Sequence, residues 1–262
     1  MPTTTATDGT TLHYRVFGDG PRAVVLVHGW MTSGAVWDAM VEKLDVTGLR
    51  LVVPDHRGTG ASGRPASGFT LEQYAKDVLA VADHAGAKRF TLVGHSMGGQ
   101  IAQWVASEVP ARVAGLVLIT PVPAAGLPLP PDAAGLFRTS PGDRAKQQTI
   151  LGLACKQLSP DSLEGMLKDA GGVSKEAIEQ AFDAWTAGGF ASRLAAITAP
   201  TLVLATDDPF LPPVFLKQAV AGLIQNARMT HLPGPGHYPQ VERPAETAAL
   251  VSAFLAGNSA QA

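Results

Sequence analysis

A serine stands between two glycines in Leu92-Val93-Gly94-His95-Ser96-Met97-Gly98-Gly99. Phe90–Val93 is an apolar, β-branched run, and Ile101, Trp104 and Val105 begin a helical stripe after Gly99, so Ser96 falls in a sharp strand-to-helix turn. In such a turn the serine takes strained backbone angles and projects its Oγ above the sheet. Glycines two before and two after it leave room for strand and helix to pack. The Met97 amide lies at the helix N-terminus, where unpaired N–H groups favour a developing negative charge. These residue types at this spacing suit nucleophilic attack on a carbonyl. A second pattern, Gly58-x-Gly60-x-x-Gly63 after Leu51–Val53, has the spacing of a dinucleotide-binding turn. That chemistry needs its third glycine inside an opening helix, where pyrophosphate meets the helix N-terminus. Here Arg64-Pro65-Ala66-Ser67-Gly68 continues the loop, and nucleotide binding is not expected.

The elements that must hold Ser96 come from a chain of 262 residues, enough for one or two domains and a sizeable core. Hydrophobic residues make up 46% and charged residues 16%, a balance opposite to that of disordered chains. The 20 basic and 22 acidic residues give a net charge of −2, so no global field draws nucleic acid or an anionic membrane. The single cysteine, Cys155, excludes an internal disulfide and a zinc-finger scaffold. The opening residues lack a signal-peptide pattern, and no apolar run approaches the ~18 residues of a membrane span, so a cytoplasmic location is expected. The tail from Gly257 to Ala262 is expected to fray.

Thr3–Thr7 and Thr11–Phe17 flank Asp8-Gly9 and predict a hairpin. Ala23–Val27, Leu51–Val53, Phe90–Val93, Val113–Ile119 and Thr201–Ala205 are strand-length runs of the kind buried on both faces. A helix is predicted from Leu71 to Ala82 with Thr70 as its N-cap, a last strand over Arg228–Leu232, and a closing helix over Ala245–Leu255. Strands alternating with helices predict a mostly parallel sheet covered on both faces. From residue 121 to 196 the rhythm breaks. Pro121, Pro123, Pro128, Pro130 and Pro131 forbid regular structure, and helical patterns follow over Ala145–Leu158, Leu163–Ala170 and Lys175–Trp185. An insertion this long is expected to be a helical lid, with residues 1–120 and 197–262 forming the core.

The chain resembles the α/β-hydrolase superfamily over nearly its whole length, in particular serine carboxylesterase-like members with a helical lid. The resemblance implies an α/β fold with a mostly parallel eight-stranded sheet, helices on both faces and an inserted lid. Val27-His28-Gly29-Trp30 resembles the family's oxyanion turn, which places the Trp30 amide opposite that of Met97. Asp55-His56-Arg57-Gly58-Thr59-Gly60-Ala61-Ser62 is similar to a scaffold loop of the family. Thr201 to Asp208 resembles the strand that ends in the triad acid, with Ala205 where the family usually has glycine. Gly236-His237-Tyr238-Pro239 resembles the turn carrying the triad histidine, and the order Ser96, Asp208, His237 is that of the fold. Asp207 competes with Asp208. The Ala205-x-x-Asp208 spacing and Pro212 favour Asp208, and the end of the preceding strand, Ile119-Thr120-Pro121, offers no carboxylate. Among the seven histidines, His237 alone follows a strand on a Gly/Pro-bounded loop, and His231, within the last strand, is expected to be structural.

The resemblance implies hydrolysis of small, mostly apolar carboxylic esters or lactones through an acyl-enzyme. Carbon–carbon bond hydrolysis, perhydrolysis and a non-turnover ligand receptor are the alternatives on the same triad. A serine at the elbow argues against the epoxide hydrolases and dehalogenases of the family, which use aspartate there. Trp30, Phe137, Trp185, Phe210 and Val214 are candidate substrate contacts, with Leu127, Leu129, Leu136, Leu153, Met166, Phe182 and Phe190 as further apolar candidates on the lid's underside. Arg138, Arg144 and Arg193 could bind a carboxylate, although a surface position is expected. No metal, organic cofactor, nucleic acid or membrane partner is implied.

Overall fold

A computed structural model of the protein describes residues 2–258, so residues 259–262 of the tail expected to fray lie outside it. In chain order the strands are β1 (Thr3–Thr5), β2 (Thr11–Phe17), β3 (Arg22–Val27), β4 (Leu49–Pro54), β5 (Phe90–His95), β6 (Val113–Ile119), β7 (Thr201–Thr206) and β8 (Ala227–Leu232). The helices are α1 (Asp38–Val41), α2 (Leu71–His84), α3 (Met97–Glu108), α4 (Pro131–Arg138), α5 (Arg144–Ala154), α6 (Pro160–Gly171), α7 (Lys175–Ala187), α8 (Pro213–Ala219), α9 (Pro239–Glu242) and α10 (Pro244–Gly257). All eight strands join one sheet in the order β1-β2-β4-β3-β5-β6-β7-β8. The β1–β2 and β2–β4 pairings are antiparallel and the other five parallel, which is the α/β-hydrolase arrangement expected.

The strand order reverses at β3. The chain steps from β3 to β4 on one side, then returns to place β5 on the other. Loops leaving the carboxyl ends of β3 and β5 therefore face each other across a crevice, the usual ligand position in open α/β sheets. The register pairs Val27 with Gly94, so Trp30 and Ser96 leave the sheet from adjacent positions. The central strands are apolar because both faces are covered. Every residue of β5 and β7 is buried, whereas the edge strand β8 alternates between half-buried and exposed.

The loop after β4 folds around its own carboxylate. Asp55 accepts from the amides of Gly34 and Ala61 at 2.9 Å and contacts His13 Nδ1 at 3.0 Å. Gly60 has φ +49°, and a Cβ there would lie 2.3 Å from the Asp55 carboxylate. The glycine pattern at 58–63 thus wraps a structural acid and precedes no helix. Arg57, fully buried, donates to Asp77 at 2.6 and 2.7 Å and to Asp8 at 2.6 Å, tying this loop to α2 and to the β1–β2 turn.

Residues 121–196 carry α4 to α7 between the neighbouring strands β6 and β7. The side chains of Asp143, Ser159 and Ser174 cap α5, α6 and α7 by accepting from amides three residues on. Helix α4 departs from expectation: the proline cluster does not forbid it but starts it. Pro131 is its first residue, where the absent N–H costs nothing and the fixed φ suits a helix. Helix α4 packs on α5 and α7, α5 packs on α6, and α7 also reaches α2. Among the described residues no helix is long and apolar enough to cross a membrane.

Candidate active site

At the β5–α3 turn Ser96 has φ +54° and ψ −122°, a backbone conformation that costs a non-glycine residue of order 1–3 kcal/mol. Its surroundings hold it there. The Ser96 N–H donates to the Ile119 carbonyl at 3.1 Å, and its own carbonyl accepts from Val122 at 3.0 Å and Gln100 at 3.1 Å. The flanking glycines are required by contact. A Cβ on Gly94 would meet the Gly98 carbonyl oxygen at 2.4 Å, and one on Gly98 would meet that of Val27 at 2.2 Å. Helix α3 can therefore press against β3 and β5 only with glycine at both positions.

Ser96 Oγ lies 2.8 Å from His237 Nε2, and His237 Nδ1 lies 2.6 Å from Asp208 Oδ2. An ionised carboxylate only accepts, so Nδ1–H donates to Asp208 and Nε2 accepts from the serine hydroxyl. Asp208 is buried, and its other oxygen accepts from the Phe210 amide at 2.8 Å. Asp207 points elsewhere. Its carboxylate bonds His231 Nε2 at 2.8 Å and the Gly234 amide at 2.9 Å, in a partly exposed pair at the sheet edge. Adjacent residues leaving a strand diverge, and here they serve different loops. His231 accordingly pairs with Asp207 and does not reach Ser96.

The turn carrying His237 is tied down on both sides. Its carbonyl accepts from His95 Nε2 at 2.8 Å and from Thr120 Oγ1 at 2.9 Å, and its N–H donates to the Ala154 carbonyl at 2.9 Å. Beneath it, the buried Glu242 accepts from four amides: Lys156, Gln157 and Gly236 on one oxygen at 2.8–3.0 Å, and Tyr238 on the other at 3.1 Å. One carboxylate thus joins the end of α5 to the residues flanking His237. Sequence reasoning did not single out Glu242. Its only local signal is an acid in a short helix after the histidine turn, and its partners at 156–157 are some 85 residues away.

The turn at 28–33 lies against the elbow, since a Cβ on Gly29 would sit 3.0 Å from His95 Nδ1 and 3.1 Å from Ser96 Cβ. Among the described residues, the amides of Trp30 and Met97 have no acceptor in the protein. The Trp30 indole donates to the Ile178 carbonyl of α7 at 2.9 Å. His28 is fully buried: its Nε2 accepts from the His56 amide at 2.9 Å and its Nδ1–H donates to the Gly29 carbonyl at 2.9 Å. Burial pushes the His28 imidazole down to about 4, and burial likewise holds His56 well below its ordinary value. In the unfolded chain a histidine takes its proton near ~6.5. Stability from keeping His28 neutral is therefore full above that pH and is lost as pH falls toward 4, by up to ~3 kcal/mol. Urea-unfolding midpoints measured from pH 7 to pH 4 should fall accordingly. A midpoint constant over that range would contradict a neutral, buried His28.

Above Ser96 is a cavity of about 50 Å³, lined by Trp30, Ser96, Val122, Leu127, Leu129, Phe137, Ile150, Ala154, Trp185, Phe210, Leu211, His237 and Tyr238. Trp30 stacks on Phe137 with centroids 5.2 Å apart, and Phe210 meets Phe137 edge-on at 6.2 Å. Apart from His237, no lining residue is a charged type. Of the candidate substrate contacts, Trp30, Phe137, Trp185 and Phe210 line this cavity. Val214 does not. It is 71% exposed and absent from the lining, and α8 buries Leu216 instead. Leu153 is also exposed, and Leu136, Met166, Phe182 and Phe190 pack elsewhere in the insertion and its contacts with the core. Arg138, Arg144 and Arg193 form surface ion pairs with Asp183, Glu164 and Glu108 and do not enter the cavity. Val122, Ile150 and Ala154 from the insertion, and Leu211 and Tyr238 from the loops after β7 and β8, line it without having been foreseen, since only packing between distant segments turns them inward.

Comparison with known proteins gives a consistent picture. Residues 24–250 match the profile of the "Alpha/beta hydrolase family". A "Non-heme haloperoxidase" from Rhodococcus erythropolis is 31% identical over 256 residues, covering 90% of this chain and 93% of its own. Among solved structures, a thermophilic esterase from Thermogutta terrifontis has a TM-score of 0.84 and 27% identity, covering 98% of this chain and 97% of its own. The enol-lactonase from Burkholderia xenovorans LB400 has a TM-score of 0.86 and 25% identity, covering 97% of this chain and 100% of its own.

Proposed function

Since the chain belongs to the alpha/beta hydrolase family, we propose that it is a serine hydrolase of small, mostly apolar carboxylic esters or lactones, with Ser96, His237 and Asp208 as its catalytic triad. The observation that carries this reading is the hydrogen-bonded chain from Asp208 through His237 to Ser96, ending at an uncharged cavity. The solved esterase and enol-lactonase relatives support the same substrate class. As Ser96 Oγ attacks the acyl carbon, His237 Nε2 takes its proton. Asp208 holds the imidazole in the required tautomer and stabilises its cationic form. The carbonyl π electrons move to oxygen, and the resulting oxyanion meets the Trp30 and Met97 amides; one such donor is typically worth ~10²–10³ in rate. Collapse expels the alcohol, which takes the proton from His237, and water then releases the acid by the same steps in reverse roles.

Residues 121–196 serve as a lid in this reading. They contribute Phe137, Ile150, Ala154 and Trp185 to the cavity and fasten the Trp30 indole through Ile178. A second reading is favoured by the haloperoxidase relative, whose name implies peroxide as a co-substrate. Hydrogen peroxide attacking the acyl-enzyme in place of water would release a peracid. Labelling with a fluorophosphonate, followed by a panel of short esters and lactones with and without peroxide, tests both. Modification of Ser96 with steady ester turnover is expected. Turnover without labelling of Ser96 would overturn the assignment, and peracid formation outpacing hydrolysis would favour the second reading.

A further inference from the structure

The cavity above Ser96 and a larger groove on the outside of the insertion share one wall residue, Leu129. The inner space is about 50 Å³, room for only a short acyl group, whereas the outer groove is about 540 Å³. Resting on the acyl-hydrolase reading above, we infer that Leu129 is the partition that sets acyl-chain length. In this arrangement the carbonyl and first carbons lie in the cavity, and a longer unbranched tail must pass Leu129 into the groove.

Two features of the chain support this role. The groove's two charged residues neutralise each other, since Arg138 pairs with Asp183 and its guanidinium also lies 5.0 Å from the Phe182 ring centre. What remains for a ligand is the exposed apolar surface of Ala125, Pro128 and Ala187, which suits a hydrocarbon tail and offers no free charge to a carboxylate. The partition itself is held by packing alone. Pro128, Pro130 and Pro131 have no N–H, and among the described residues the Leu129 amide has no acceptor. The nearest backbone anchors are the bond from Leu127 N–H to the Thr186 carbonyl at 3.1 Å and the start of α4. The Leu129 side chain can therefore change size without breaking a hydrogen bond.

The test compares wild type, Leu129→Ala and Leu129→Phe on p-nitrophenyl acetate, butyrate and octanoate. A parallel series of acetate esters with lengthening alcohols is run, and rates are divided by active sites titrated with a fluorophosphonate. The octanoate-to-acetate ratio of kcat/KM should rise at least ~10-fold in Leu129→Ala and fall in Leu129→Phe, the scale of a one-to-few methylene change in a fitted apolar pocket. Leu129→Val, a smaller truncation, should move the ratio in the same direction if the alanine variant folds poorly. An unchanged ratio in all variants overturns the inference, as does a change confined to the alcohol series. If wild type neither hydrolyses any ester nor labels at Ser96, the acyl-hydrolase reading itself fails, a result distinct from turnover with an unaltered chain-length profile.

Discussion

Replacing Ser96 with alanine is expected to lower kcat/KM on short esters by at least ~10³-fold, approaching the ~10⁶-fold seen when a triad nucleophile is removed. The residual rate would come from the Trp30 and Met97 amides and from the cavity, which bind the ester without attacking it. The change removes one oxygen and little else. Alanine at 96 must still adopt φ near +54°, but the bonds holding that conformation come from the backbone, from Ser96 N–H to Ile119 and from Val122 to the Ser96 carbonyl. The variant should therefore fold as wild type does, with the same circular dichroism and nearly the same melting temperature. Steady-state kinetics and labelling on the same preparation separate lost chemistry from lost structure. Undiminished turnover would show that Ser96 is not the nucleophile.

Asp208→Asn should lower kcat by ~10⁴-fold, the effect of that exchange in a well-characterised triad, whereas Asp207→Asn should change it by less than about threefold. The two residues are neighbours in sequence with different partners. Asp208 is buried and accepts from His237 Nδ1–H at 2.6 Å, while Asp207 pairs with His231 at a partly exposed edge. An asparagine NH₂ facing His237 Nδ1 would turn that nitrogen into an acceptor and move the ring proton to Nε2. Nε2 could then no longer accept from Ser96. At position 207 the exchange weakens a surface pair with His231 and a bond from the Gly234 amide, neither of which reaches His237 or Ser96, and exposed pairs contribute little. Parallel kinetics on both variants decide the matter: equal losses, or a larger loss at 207, would reassign the acid.

Local pattern made much of the site legible. The elbow around Ser96 is written in five consecutive residues, because glycine spacing, strand ending and helix start are all short-range properties. The buried strands were visible for the same reason, as runs with both faces apolar. The insertion was harder. Its prolines read as an absence of structure, yet Pro131 opens α4, since a proline that breaks a helix interior suits its first position. Val214 read as a cavity residue from its place after β7, but the orientation of α8 leaves it exposed.

From the sequence, read with the family resemblance its motifs carry, come the fold class, the sharp turn that bears the serine, the preference for Asp208 over Asp207 and the choice of His237. Each depends on neighbours a few positions away or on the order in which motifs occur. Only the tertiary structure shows the distances joining Ser96 to His237 across 141 residues, the four amides gathered by Glu242, and the tie from Trp30 to Ile178. It alone shows which insertion side chains enclose the cavity and that Leu129 lines both it and the groove outside. The physical reason is that backbone preference and hydrophobic period act within a few residues. Partners and cavity walls are selected by packing between segments whose separation along the chain carries no record of their approach.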